Sequence, residues 1–205
     1  MAELIDQAAP GVVARVCSTL RHGGLVVIPT DTVYGLAALP SSDDAIAAVF
    51  AAKRRPEGMH LAVLLAGPEQ LPLVTTDTRP SVGAIADSFW PGALTLVLPQ
   101  ATVLVSGLGN GDGTVGVRCP ADELIRAVVE DVGPIATTSA NIHGQPTPAR
   151  ALEVLEQIPE VDLAVDGGER SGSAPSTVVS LIGNKPEVLR AGPVSLEDLM
   201  AHWAE

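Results

Sequence analysis

Three of the chain's twelve Lys and Arg residues are consecutive, Lys53-Arg54-Arg55, and Pro56 follows them. A lysine offers a mobile point charge and an arginine a planar fork, a combination suited to a polyphosphate. The same run also reads as a solvated helix end, where cations suit the dipole, and composition alone favours that reading. Three further stretches put polar groups directly after apolar runs, the sheet-end position at which α/β proteins bind ligands. Thr30-Asp31-Thr32-Val33-Tyr34 supplies two hydroxyls, a carboxylate and a phenol, or alternatively an Asx or ST turn. Thr137-Thr138-Ser139-Ala140-Asn141 supplies hydroxyls and an amide for phosphate oxygens or a base edge, or alternatively a helix cap or tight turn. Arg118 closes the run TVGVR, with Ser176-Thr177 and Arg190 on later runs; a lone arginine there is also a common surface ion pair.

Several chemistries are excluded by pattern. The sequence contains no GxxxxGK[ST], no GxGxxG opening a helix, no HExxH and no GxSxG. His22, His60, His143 and His202 do not share metal-ligand spacing, and Cys17 and Cys119 stand alone. No motif places a histidine base for Ser139 as a nucleophile. The chemistry expected is therefore charge stabilisation and positioning, without a covalent intermediate or a protein-held metal.

The elements that must carry these groups follow from periodicity. Helices are expected over 11–22, 43–53, 81–89, 121–131, 150–157 and 195–203, with Ser42 or Asp43 capping the second and Pro56 ending it. Apolar runs at 25–30, 61–67, 94–99, 114–118 and 134–139 read as buried strands, and 161–168, 176–183 and 186–192 as strands with glycine stops. The glycine-rich 106–113 segment reads as a loop or lid. Strands separated sometimes by helices and sometimes by turns predict an α/β fold, an open mixed parallel/antiparallel sheet flanked by helices.

Bulk composition bounds the rest. The 205 residues suit one domain over 1–205, and a hydrophobic fraction of 46% with only 2% aromatic predicts a core of Val, Leu, Ile and Ala. A net charge of -12 argues against stable nucleic-acid binding, and the near absence of aromatics against base stacking. No apolar run is long enough for a membrane span, and a cytoplasmic location is expected.

Taken in order, PTDTVYGL, KRRP, FWPGALTLVLP, TVGVRCP, TSAN with a following Gly-x-Pro-Thr-Pro, PSTVV and LRAGP resemble the YrdC/TsaC family from Pro29 to Pro193. That family comprises the L-threonylcarbamoyladenylate synthases, which join L-threonine, bicarbonate and ATP with release of pyrophosphate for tRNA modification. The resemblance implies a twisted open sheet with a concave basic groove. It implies that Lys53, Arg55, Ser139 and Asn141 hold ATP phosphates and act in catalysis, with Thr114, Thr147 and Arg190 as further nucleotide contacts. Thr30, Arg118, Thr137 and Ser176 would surround L-threonine, with Arg118 pairing its carboxylate. Mg²⁺ would accompany the nucleotide, and downstream tRNA threonylcarbamoyltransferase proteins would take the product. Arg54, at the variable position, is expected to face solvent.

The chain departs from the family pattern in places. Met59-His60-Leu61 stands where a Lys or Asn and then Pro-Leu are common, Leu64 stands at a family histidine, and Ser180 replaces an Asp. A polar nucleotide contact is thus missing or supplied elsewhere. Two other functions fit the same fold: an RNA-binding YrdC-like module, and a carbamoyl-adenylate-forming domain for another acceptor.

Overall fold

The computed structural model describes residues 2–56, 58–101, 108, 111–170 and 175–203. Among these, ten strands form one sheet: β1 (Glu3–Asp6), β2 (Val26–Ile28), β3 (Gly35–Ala38), β4 (Ala62–Leu64), β5 (Leu94–Pro99), β6 (Thr114–Arg118), β7 (Ile135–Ser139), β8 (Leu163–Asp166), β9 (Thr177–Ser180) and β10 (Glu187–Arg190). Their order across the sheet is β1-β8-β2-β3-β7-β4-β6-β5-β9-β10. β8 lies parallel to β1 and β2, β4 to β6, and β5 to β9, while the other pairs are antiparallel. The sheet is mixed, as the alternation of helices and turns predicts.

Six helices flank it: α1 (Val12–Arg21), α2 (Asp43–Ala52), α3 (Pro80–Phe89), α4 (Glu123–Val132), α5 (Ala151–Gln157) and α6 (Leu196–Ala201). Ser42 caps α2 by accepting from the Ala45 amide at 3.2 Å, and Asp43 and Asp44 sit in its first turn, where they suit the dipole. None of these helices is long and apolar enough to cross a membrane.

Alternation along each strand divides the core between the two faces. Val27, Val63, Ala136 and Ala164 join α2, α3 and α5 on one side. Val26, Ile28, Leu64, Ile135, Leu163 and Val165 join α1 and α4 on the other.

Two strands and a 3-10 helix over Pro68–Leu73 escaped the sequence reading. β3 is GLAA, a composition with little strand propensity. It forms because β2 and β7 pair with it on both sides. β1 is mostly exposed and is ordered by pairing with β8, which comes 160 residues later in register (Glu3 opposite Leu163). Of the 106–113 segment, residues 106, 107, 109 and 110 lie outside the described residues; Leu108 is buried, and its carbonyl accepts from the Leu61 amide at 2.7 Å.

Candidate active site

The face packed by α1 and α4 is covered only toward the β1 edge. Further across, the same face of β3, β7, β4, β6, β5 and β9 is the floor of a cavity of about 1010 Å³. Small residues keep that floor low. Gly35 is the clearest case: a Cβ there would lie 2.9 Å from Thr137 Oγ1, which faces the cavity. Nine of the eleven residues expected at the site line this cavity: Thr30, Arg55, Thr114, Arg118, Thr137, Ser139, Thr147, Ser176 and Arg190. Lys53 and Asn141 do not.

The reason lies in how α2 ends. The Arg54 amide donates to Ala51 O at 3.0 Å and the Arg55 amide to Phe50 O at 2.9 Å, with Arg54 in the left-handed region at φ 49°. This is a Schellman stop, with an arginine where glycine is usual. The turn sends three consecutive cations in three directions. Arg54 faces solvent, as expected, and Arg55 reaches the cavity. Lys53 turns inward and is 1% exposed.

The Lys53 ammonium donates to the Ser139 carbonyl, to the Asn141 carbonyl at 2.7 Å and to Asn141 Oδ1 at 3.2 Å. Its three donors are matched by three acceptors. Asn141 Oδ1 also accepts from Ser139 Oγ at 2.5 Å, and Asn141 Nδ2 donates to Gln145 O at 2.6 Å. The His143 amide returns a bond to Lys53 O at 2.9 Å. Lys53 and Asn141 thus hold the turn after β7 from beneath, and Ser139 presents that turn to the cavity. Burial, with a smaller push from Arg55, lowers the Lys53 amine to about 8.

Among the described residues Arg55 has only neutral partners: Nη2 donates to His60 O at 2.9 Å and Nη1 to Thr138 Oγ1 at 3.4 Å. Its Nε is buried with no hydrogen-bond partner. Burial also presses its guanidinium below the ordinary arginine value. A half-buried guanidinium that lines the cavity and leans only on carbonyl and hydroxyl oxygens suits an anion's oxygens at its Nη groups.

Arg118 is held differently. Its Nη2 donates to both carboxylate oxygens of Asp31 at 2.7 Å, Nη1 to Thr32 Oγ1 at 3.1 Å, and Nε to Gly92 O at 2.9 Å. Thr32 Oγ1 lies 3.1 Å from Thr30 Oγ1, so a guanidinium and two hydroxyls form one cluster. Burial lowers the guanidinium's pKa, and Asp31 opposes that shift. Arg190, on β10, donates from Nε and Nη2 to Ser176 O at 3.1 and 3.0 Å, and from Nη2 to Ser176 Oγ at 3.0 Å. Ser176 Oγ in turn lies 2.8 Å from Thr95 Oγ1.

The lining is mixed rather than uniformly basic, because Asp112 and Glu187 face the same space as Arg55, Arg118, Arg190 and His60. His60 Nε2 lies 3.2 Å from both Asp112 Oδ1 and Thr114 Oγ1. It supplies a polar group beside Thr114 at the position where the chain departs from the pattern it resembles. Leu64 lines the cavity as an apolar wall. Asp31, Thr32, Thr95 and Asp112 were absent from the expected site. Asp31 and Thr32 were visible in PTDT, but their arginine lies 87 and 86 residues away.

The family model Sua5_yciO_yrdC, described as "Telomere recombination", matches residues 18–192. A Mycobacterium tuberculosis relative is 38% identical over 193 residues, covering 94% of this chain and 88% of the relative. The "Threonylcarbamoyl-AMP synthase" of Pyrococcus abyssi is 39% identical over 182 residues, 88% of this chain and 54% of that protein. A crystal structure of P. abyssi Sua5 complexed with L-threonine superposes with a TM-score of 0.90 at 35% identity, covering 98% of this chain and 60% of that one. The chain therefore spans little more than half of the two P. abyssi chains. With the sequence match and the shared sheet in agreement, the chain belongs to the Sua5/YciO/YrdC family.

Proposed function

We propose that this protein is a threonylcarbamoyl-AMP synthase, a nucleotidyltransferase that joins L-threonine, bicarbonate and ATP and releases pyrophosphate for threonylcarbamoyladenosine formation in tRNA. The observation that carries the reading is Arg55, a half-buried guanidinium with only carbonyl and hydroxyl partners among the described residues, beside a turn presenting Ser139, in the same cavity as the Arg118 and threonine-hydroxyl cluster. One end suits a polyphosphate and the other an amino acid. The names of the relatives support the reaction that would join them.

In this reading the threonine amine adds to the carbon of bicarbonate, and water leaves, giving N-carboxythreonine. A carboxylate oxygen of that adduct then attacks the α-phosphorus of ATP as the bond to pyrophosphate breaks. Arg55 and Arg190 offset charge gathering on the phosphates. Ser139 orients the acceptor on a turn that Asn141 holds from beneath, and Thr114 and Thr147 contact the nucleotide. Lys53 contributes its charge and the placement of the turn. Thr30, Thr137 and Ser176 surround threonine, whose carboxylate pairs with Arg118. Mg²⁺ arrives on the phosphates of ATP as part of the substrate. The unit acting is one YrdC-like domain over 1–205 in the cytoplasm, and the labile adenylate passes to a tRNA threonylcarbamoyltransferase. Pyrophosphate release should require ATP, threonine and bicarbonate together; equal release without threonine would refute the assignment.

A further inference from the structure

Three arginines face one cavity, yet among the described residues only one is neutralised. Arg55 and Arg190 donate to neutral carbonyls and hydroxyls. Arg118 alone among them pairs with a carboxylate of the described residues, Asp31 at 2.7 Å. The pair is shielded, with side-chain exposures of 9% and 17%, so solvent weakens it little. Arg118 and Arg190 also lie close enough that the charge of one depresses the pKa of the other. A bare Arg118 would therefore extend the positive field of Arg190, and a polyphosphate could bridge the two.

We propose that Asp31 is the specificity-determining residue that divides the cavity, cancelling the charge of Arg118 so that polyphosphate binds at Arg55 and Arg190 while Arg118 is reserved for a zwitterionic amino acid. A neutral guanidinium–carboxylate pair still offers N–H donors to a carboxylate. It has no net attraction for a polyanion, and its carboxylate repels one. An amino acid brings an ammonium as well as a carboxylate, so the attraction of Asp31 for one offsets its repulsion of the other. The inference rests on the two-ended substrate reading above.

Calorimetry of L-threonine binding, with and without saturating tripolyphosphate, tests it without turnover. In the wild type the threonine dissociation constant should change less than twofold when tripolyphosphate is added. In Asp31→Asn, tripolyphosphate should raise it at least tenfold, because the polyanion now reaches Arg118. Asp31→Glu, which keeps the charge, should behave as wild type. An Asp31→Asn protein that binds both ligands independently overturns the proposal. So does competition in the wild type, an arm that needs no folded variant. Failure of the wild type to bind threonine at all would instead count against the substrate reading.

Discussion

The two ends of the cavity hold their cations in opposite ways. At the Arg55 end the guanidinium leans on carbonyl and hydroxyl oxygens, pairs with no carboxylate among the described residues, and has a second cation, Lys53, buried behind it. At the Arg118 end the Asp31 carboxylate accepts from Nη2, the Thr32 hydroxyl from Nη1 and the Gly92 carbonyl from Nε. The first arrangement accumulates charge that a ligand must neutralise. The second is already neutral and offers direction instead. A nucleotide with several negative charges fits the first, and an amino acid with none overall fits the second.

The largest effect should come from emptying the charged end. Arg55→Ala removes the cation that lines the charged end together with its Nη donors, and should lower the rate of pyrophosphate release by roughly 10²–10³-fold, the scale for losing one aimed donor. Full activity in that variant would remove the contrast between the ends. Arg118→Ala should act through stability as well as binding. It leaves Asp31 shielded without a partner, so chemical denaturation should show a loss of about 3 kcal/mol, alongside a collapse of threonine affinity.

Lys53 gives the next test. Replacing it by methionine leaves the Ser139 and Asn141 carbonyls short of donors, worth about 1–3 kcal/mol in denaturation. Its pH dependence has a definite sign. The amine is lowered from 10.5 to about 8 in the folded protein, so between those values the unfolded chain still binds a proton the folded protein has released. Wild-type stability should therefore rise, relative to Lys53→Met, as pH increases from about 8 toward 10.5, and level off on either side. Melting temperatures of the pair across that range check it; a falling difference would mean the ammonium is not buried as described.

The smallest effect belongs to Arg54. Arg54→Gly should stabilise the fold by about 1 kcal/mol by relieving the left-handed residue at the Schellman stop, with activity unchanged. Arg54→Ala should leave activity within about twofold, since an exposed side chain away from both ends touches neither ligand.

How much of this was legible in the sequence depends on how local the cause was. Strands β5 and β6 were read to the residue because both alternation and length are carried in the run itself. β3 was not, since Gly35-Leu36-Ala37-Ala38 becomes a strand only through its neighbours on either side. Nine of the expected site residues line one cavity, most of them within or beside strands that share its floor. The direction of Lys53 was hidden, as a Schellman turn is normally signalled by glycine and here carries arginine. Asp31 was seen as a polar group without a purpose. Its purpose is Arg118, far along the chain, and no spacing rule connects them.

The most direct test of the central claim follows the carbon. Labelled bicarbonate, incubated with the protein, ATP and L-threonine, should appear in a single species containing both threonine and AMP, in step with pyrophosphate release and only when all three substrates are present. Pyrophosphate released without label entering a threonine-containing adenylate would contradict the account.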